Sequence, residues 1–176
     1  KTHKDDTIIF VGETAYFIDE MAKCIANKQP IVFASSLRVK QEQIMEQLYI
    51  VLQTVYNVNI HELKQDFYNS TCDAQDMVER IKNLKETWSE LDILCYTPTI
   101  SAGVNYTEKH FSKVFYLGNA NSGHVSALQS LYRVRDVDTC EYYILFGSTQ
   151  YENPAYSLRQ NYEYFLNMDR VFINET

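Results

Sequence analysis

Three segments of the chain carry side chains that suit phosphate groups, and the first follows an apolar run at residues 31–34. Its hydroxyl and basic residues are Ser35, Ser36 and Arg38. Small hydroxyl groups and backbone N–H groups at the start of a helix can bind phosphate, and the helix dipole adds to the attraction. An ordinary helix N-cap would account for the same residues.

The second segment, residues 96–105, combines hydroxyl side chains with a glycine that allows close approach of the backbone. Its candidate residues are Thr97, Thr99, Ser101, Gly103 and Asn105. A loop of this kind can hold a nucleic-acid phosphate while it borders a nucleotide site. A plain turn between a strand and a helix is the alternative interpretation.

The third segment contains Gln129, Arg133 and Arg135. The planar fork of arginine suits a triphosphate, and an inserted arginine can neutralise the charge that develops in phosphoryl transfer. Gln129 and Arg133 are four residues apart and would share a helix face, whereas Arg135 joins them only if the helix ends near residues 132–134. Surface salt bridges with Asp136 and Asp138 are the alternative.

Composition narrows the class of protein. The 176 residues are 45% hydrophobic and carry a formal charge of -7, which excludes intrinsic disorder and a polycation that adheres to any nucleic acid. The five glycines form neither G-x-x-x-x-G-K-[ST] nor G-x-G-x-x-G, so the chain carries neither common phosphate cradle.

The spacing of cysteine and histidine predicts no metal site. No apolar run is long enough to predict a membrane span, and the scattered cysteines indicate free thiols in a reducing intracellular compartment.

Short apolar segments alternate with amphipathic ones, which predicts the elements that position these residues. We expect strands at residues 7–11, 31–34, 92–96, 114–117 and 142–146. We expect helices at residues 14–27, 38–56, 73–88, 122–132 and 156–172. This alternation indicates an α/β domain with a mainly parallel sheet, whose functional loops lie at the carboxyl ends of the strands. Residues 1–176 are treated as one domain with a helical extension at 150–176, and the initial Lys1 suggests a piece of a larger protein.

The order and spacing of the three segments resemble the second RecA-like domain of superfamily 2 helicases, in which they would be motifs IV, V and VI. The resemblance spans residues 6–146. It is most specific at residues 88–105, 110–115 and 128–135, which are similar to herpesvirus-type replication origin-binding helicases and to helicase–primase proteins of large DNA viruses. It implies a RecA-like three-layer fold and an ATP-dependent helicase that acts in DNA replication.

The resemblance also implies roles for the candidate residues. ATP and Mg²⁺ would be bound mainly by an absent first RecA-like domain, which would be the principal partner, and the isolated chain would be inactive. The catalytic residues implied are Gln129, Arg133 and Arg135. The residues implied at the nucleotide are Gly103, Asn105, Gln129 and Arg133. Those implied at single-stranded DNA are Ser35, Ser36, Arg38, Thr97, Thr99 and Ser101.

The chain departs from the helicase pattern at two positions. Tyr132 stands where these proteins usually have Gly, and Asp136 stands where many have their second arginine. Which of Arg133 and Arg135 is the arginine finger therefore stays open. The resemblance further implies a primase and other replication proteins as partners, at a host nucleus or viral replication site. Two alternatives remain: a motor-inactive docking module, and an unrelated α/β transferase that uses the arginine pair for a phosphate-bearing substrate.

Overall fold

The computed structural model describes residues 6–100, 104–119 and 124–147 of the chain. The strands are β1 (Thr7–Val11), β2 (Ile31–Ser35), β3 (Gln65–Tyr68), β4 (Ile93–Tyr96), β5 (Lys113–Asn119) and β6 (Glu141–Gly147). The helices are α1 (Thr14–Ala26), α2 (Arg38–Thr54), α3 (Ala74–Lys82), α4 (Leu84–Trp88) and α5 (His124–Leu131), with a short 3₁₀ helix at Ile60–Glu62. The predicted extension at 150–176 lies outside the described residues.

The described strands form one six-stranded sheet in the order β1-β6-β5-β2-β4-β3, and every neighbouring pair is parallel. The central strand β2 is buried along its whole length, as expected for a parallel sheet that is covered on both faces. Its alternating side chains enter two separate cores, with Val32 on one face and Phe33 on the other. The prediction of an α/β domain with a mainly parallel sheet is confirmed.

Helices cover both faces of the sheet and make three layers. Apolar residues of α1 and α2, such as Phe17 and Leu48, pack in the core that contains Phe33. On the opposite face, Trp88 of α4 and Leu131 of α5 are fully buried in the second core. Burial of large apolar side chains on both faces is the main stabilising contribution in such a domain.

Two features differ from the elements predicted by the sequence. Strand β3 was not predicted; it pairs only with β4 at one edge of the sheet. The helix expected at residues 73–88 is two helices, because Asn83 leaves helical geometry with φ -112° and ψ 33°. Asparagine has a low helix propensity, and the break starts the short α4 that carries Trp88 into the core.

The strand order brings the functional loops together. Because β2 lies between β4 and β5, and all three are parallel, their carboxyl ends meet at one edge of the sheet. Ala34 is opposite Tyr96 on one side, and Ser35 is opposite Leu117 on the other. The first two candidate segments therefore begin side by side, as ligand-binding loops do in open α/β sheets.

Candidate functional site

The two serines after β2 connect the ends of neighbouring strands. The Ser35 hydroxyl donates to the Leu117 carbonyl oxygen at 3.2 Å and accepts from the Leu37 N–H at 3.0 Å. The Ser36 hydroxyl accepts from the Asn119 N–H at 3.0 Å. Ser35 is only 1% exposed, so it holds the loop against β5 from inside, whereas Ser36 is half-buried and reaches the surface.

Arg38 lies in the first turn of α2, at the same edge of the sheet. Its guanidinium forms a salt bridge with Glu42 at 2.7 Å, and both side chains are partly exposed. The first turn of α2 contains no acidic residue. The partial positive charge at the N-terminus of the helix therefore adds to the positive charge of Arg38. An exposed pair of this kind is worth about 1 kcal/mol or less, and Arg38 can exchange it for an outside anion.

The loop after β4 begins with a buried threonine. Thr97 is 5% exposed, and its N–H donates to the Tyr68 carbonyl oxygen at 2.9 Å. Its hydroxyl shares a hydrogen bond with that of Thr99, which is exposed. Asn105 at the far end of the loop is also exposed. Ser101 and Gly103 lie outside the described residues.

Gln41 connects the first two segments, although the sequence did not single it out. It lies in α2, is 3% exposed, and its amide Nε2 donates to two backbone carbonyl oxygens at once. The acceptors are Phe33 of β2 at 2.7 Å and Tyr96 of β4 at 3.2 Å. A buried glutamine with both bonds satisfied fixes the start of α2 to the carboxyl ends of two strands.

The arginine segment is joined to the loop after β4 by backbone hydrogen bonds. The Tyr106 N–H donates to the Arg133 carbonyl oxygen at 2.8 Å, and the Arg135 N–H donates to the Tyr106 carbonyl oxygen at 3.0 Å. These bonds form a parallel bridge between Tyr106 and Val134, which is fully buried. Arg133 and Arg135 therefore flank a residue that is anchored in the core.

Helix α5 ends at Leu131, two residues before Arg133. The prediction that Gln129 and Arg133 share a helix face is therefore wrong, because the backbone at Arg133 bonds to Tyr106 instead of continuing the helix. Arg135 was expected to join them only if the helix ended near residues 132–134, and α5 ends one residue before that range. Arg135 and Gln129 are exposed, and Arg133 is half-buried.

Tyr96, the last residue of β4, contacts the end of α5. Its phenol donates to the Ser130 carbonyl oxygen at 2.6 Å, and the side chain is 1% exposed. Burial raises the pKa of the Tyr96 phenol, and the positive charge of Arg133 acts in the opposite direction. Arg133 is therefore close enough to Tyr96 for its charge to be felt there.

The alternative role for Arg135, a salt bridge with a following aspartate, is not seen. Asp138 instead pairs with Lys109 at 3.2 Å. Within the part of the chain that the structure describes, Arg135 forms no salt bridge. Its exposed guanidinium is therefore not paired with an acidic side chain of the described residues.

Residues 6–100, 104–119 and 124–147 contain no group of three His, Cys, Asp or Glu side chains that could hold a metal ion. Nor does any helix in these ranges have the length and apolar character needed to cross a bilayer.

Comparison with known proteins finds similar proteins in viruses. Residues 46–157 match a family described as origin of replication binding protein. A putative helicase/primase complex protein of African swine fever virus (isolate Pig/Kenya/KEN-50/1950) is 28% identical over 148 residues, which are 84% of this chain and 13% of that protein. A putative replication origin-binding protein of Acanthamoeba polyphaga mimivirus is 27% identical over 113 residues, 62% of this chain and 14% of that protein. The chain thus spans about a seventh of the curated relatives it matches.

Solved structures resemble the fold at low sequence identity. The Mycobacterium smegmatis helicase Lhr, solved with ssDNA and AMP-PNP, gives a TM-score of 0.56 at 13% identity, over 81% of this chain and 19% of that one. The C-terminal domain of the DEAD-box protein Dbp5 gives 0.52 at 10% identity, over 90% of this chain and 84% of that one. The fold is therefore RecA-like, as in the domains that these structures share with it.

Proposed function

Because the chain belongs to the family of origin of replication binding proteins, we propose that it is the second motor domain of an ATP-dependent DNA helicase in viral-type replication. The observation that carries the proposal is the bridge between Tyr106 and Val134, which joins the loop after β4 to the arginine segment. A motor needs its DNA-contacting loop and its nucleotide-contacting arginines to move together. A hydrogen-bonded connection between the two segments supports that behaviour.

The arginine segment fits a triphosphate held by another domain. Arg135 is exposed and forms no salt bridge among the described residues, and Arg133 lies two positions away on the other side of the buried Val134. Two planar guanidinium groups offer paired donors to phosphate oxygens. Mg²⁺ bound with ATP on a first RecA-like domain would neutralise part of the phosphate charge. Arg133 and Arg135 would stabilise the rest, with Gln129, Gly103 and Asn105 beside the nucleotide.

Single-stranded DNA would contact the residues that reach the surface at the carboxyl edge of the sheet. These are the half-buried Ser36 and Arg38 after β2 and the exposed Thr99 after β4. Ser35 and Thr97 are buried and hold the same loops in place, so we assign them a supporting role, and Ser101 would extend the strip. Contacts of this kind bind phosphate and carry little sequence information. The formal charge of -7 is compatible with a narrow contact strip.

The relatives' names include a helicase/primase complex, so we propose a primase and other replication proteins as partners, at a viral replication site or the host nucleus. The chain carries no phosphate cradle of its own, so we expect no ATP hydrolysis by the chain alone. A motor-inactive docking module is the competing function. It is favoured by Tyr132, which packs against Tyr142 with ring centroids 5.3 Å apart where helicases have glycine.

The test is the DNA-stimulated ATPase activity of the full-length protein that contains this chain. We expect Arg133→Ala or Arg135→Ala to lower turnover by roughly 10³-fold, the usual effect of losing an arginine finger, while ATP binding is kept. The variant that loses more identifies the finger. Lys82→Ala, which removes an exposed cation on α3, is the matched control and should behave as wild type.

A DNA-binding titration tests the other half of the proposal. Arg38→Ala and Thr99→Ala should weaken binding of single-stranded DNA of any sequence, and Arg38→Ala should also reduce the dependence of affinity on salt.

If the wild-type protein hydrolyses no ATP, or if both arginine variants match Lys82→Ala, the motor function is wrong and the docking module replaces it.

A further inference from the structure

The last turn of α5 is bonded to a tyrosine side chain of the sheet. Helix α5 ends at Leu131, so Ser130 lies in its last turn, where carbonyl groups commonly accept from donors outside the helix. The phenol of Tyr96 donates to the Ser130 carbonyl oxygen at 2.6 Å. Ser130 is 4% exposed and Tyr96 is 1% exposed, so water does not readily replace this bond.

Tyr96 is itself held from three sides. Its backbone pairs with Ala34 in β2 and with Tyr68 in β3, and its carbonyl oxygen accepts from the buried amide of Gln41. The phenol therefore extends from a backbone position that the sheet and α2 determine together. Displacement of α2 or β4 would be passed to the end of α5 through this side chain.

The arginine segment begins immediately after this contact. Ser130 is three residues before Arg133, whose carbonyl oxygen accepts from the Tyr106 N–H at 2.8 Å. The segment between them is thus bonded to Tyr96 at its start and to Tyr106 at its end. Both bonds help to set the direction in which the chain runs from the helix to Arg133.

We infer that Tyr96 is a positioning residue for Arg133, acting through its hydrogen bond to the end of α5. The inference rests on the proposed function, because it assumes that Arg133 contacts the nucleotide. It adds a specific connection, Gln41 to Tyr96 to Ser130, by which the DNA-contacting end of α2 reaches the arginine segment. A misplacement of about 1 Å at a reacting group can cost on the order of 10²-fold in rate.

The test is Tyr96→Phe in the full-length protein, which removes one hydroxyl and keeps the ring. Its matched control is Tyr68→Phe, which also removes a fully buried, hydrogen-bonded hydroxyl, in this case the acceptor of the Trp88 indole at 3.0 Å. We expect Tyr96→Phe to lower the kcat of ATP hydrolysis about 10- to 100-fold with the KM for ATP nearly unchanged. Tyr68→Phe should alter kcat less than about twofold while giving a similar loss of Tm.

A double variant separates positioning from a general loss of stability. If Tyr96 acts through Arg133, then Tyr96→Phe combined with Arg133→Ala should be no slower than Arg133→Ala alone. Gln41→Met is a second test variant, since it keeps the phenol but removes the donor to the Tyr96 carbonyl. It should lower kcat in the wild-type background but not in the Arg133→Ala background. It serves as the test if Tyr96→Phe does not fold.

Two results would overturn the positioning role. One is a kcat for Tyr96→Phe equal to that of Tyr68→Phe, and the other is a double variant whose losses multiply. The proposed function fails differently: Arg133→Ala itself would then leave turnover unchanged. A full effect of Arg133→Ala beside an unaffected Tyr96→Phe would contradict only the positioning role.

Discussion

Replacing Gln41 by leucine should destabilise the domain far more than its conservative size suggests. The side chain is 3% exposed, and its amide satisfies the carbonyl oxygens of Phe33 and Tyr96 at 2.7 and 3.2 Å. Each hydrogen bond contributes about 1 kcal/mol net, so their loss should lower the free energy of unfolding by about 2 kcal/mol. For a chain of this size each kcal/mol shifts Tm by about 2–4 °C, which gives a decrease of about 4–8 °C.

Thermal unfolding followed by circular dichroism measures this change. The matched control is Gln47→Leu, the same substitution on the same helix at an exposed position, which should alter stability by less than about 0.5 kcal/mol. Gln41→Glu should be worse than Gln41→Leu at neutral pH, since a carboxylate that only accepts would face two carbonyl oxygens. Equal Tm values for Gln41→Leu and Gln47→Leu would refute the assigned role of the two hydrogen bonds.

Three further predictions concern stability. Gly118→Ala should cost about 1–3 kcal/mol in urea unfolding, because the added Cβ would lie 2.9 Å from the rings of Phe146 and Tyr116; an unchanged midpoint would show that the rings can move. Asp73→Ala should cost about 1 kcal/mol, because its carboxylate accepts from two N–H groups at the start of α3. Burial raises the pKa of Tyr68 to about 12, so the free energy of unfolding should fall as pH rises from about 10 to 12. The expected slope is up to about 1.4 kcal/mol per pH unit, and Tyr68→Phe should weaken this pH dependence.

Segments with a long, regular pattern of apolar residues were predictable, because each pattern by itself indicates the element that would bury those residues. The continuous apolar run of β2 and the helical stripe of α2 identify a covered sheet and a helix on it. Strand β3 was missed since it has four residues at a sheet edge, three of them only half-buried. Its sequence therefore shows neither a continuous apolar run nor clear alternation.

The candidate site was predictable as a set of loops but not as a set of contacts. The chemistry of the residues identified the serines and arginines, yet which serine is buried depends on the Leu117 carbonyl, 82 residues away. Gln41 and Tyr96 bond to backbone atoms, and no side-chain pattern in the sequence records a backbone partner. Such residues are visible only once the strand order is known.

The position of β1 has a consequence for synthesis of the chain. Among the described strands, β1 pairs only with β6. Thr7 therefore cannot pair until its partner Glu141, which is 134 residues later (141 minus 7), has been synthesised. At about 5–20 residues per second on the ribosome, this delay is roughly 7–27 s. During that interval Ile8 and Phe10 belong to an unpaired strand that can associate with other chains. We expect nascent chains stopped before β6 to engage chaperones or to aggregate, and release to follow once β6 has emerged.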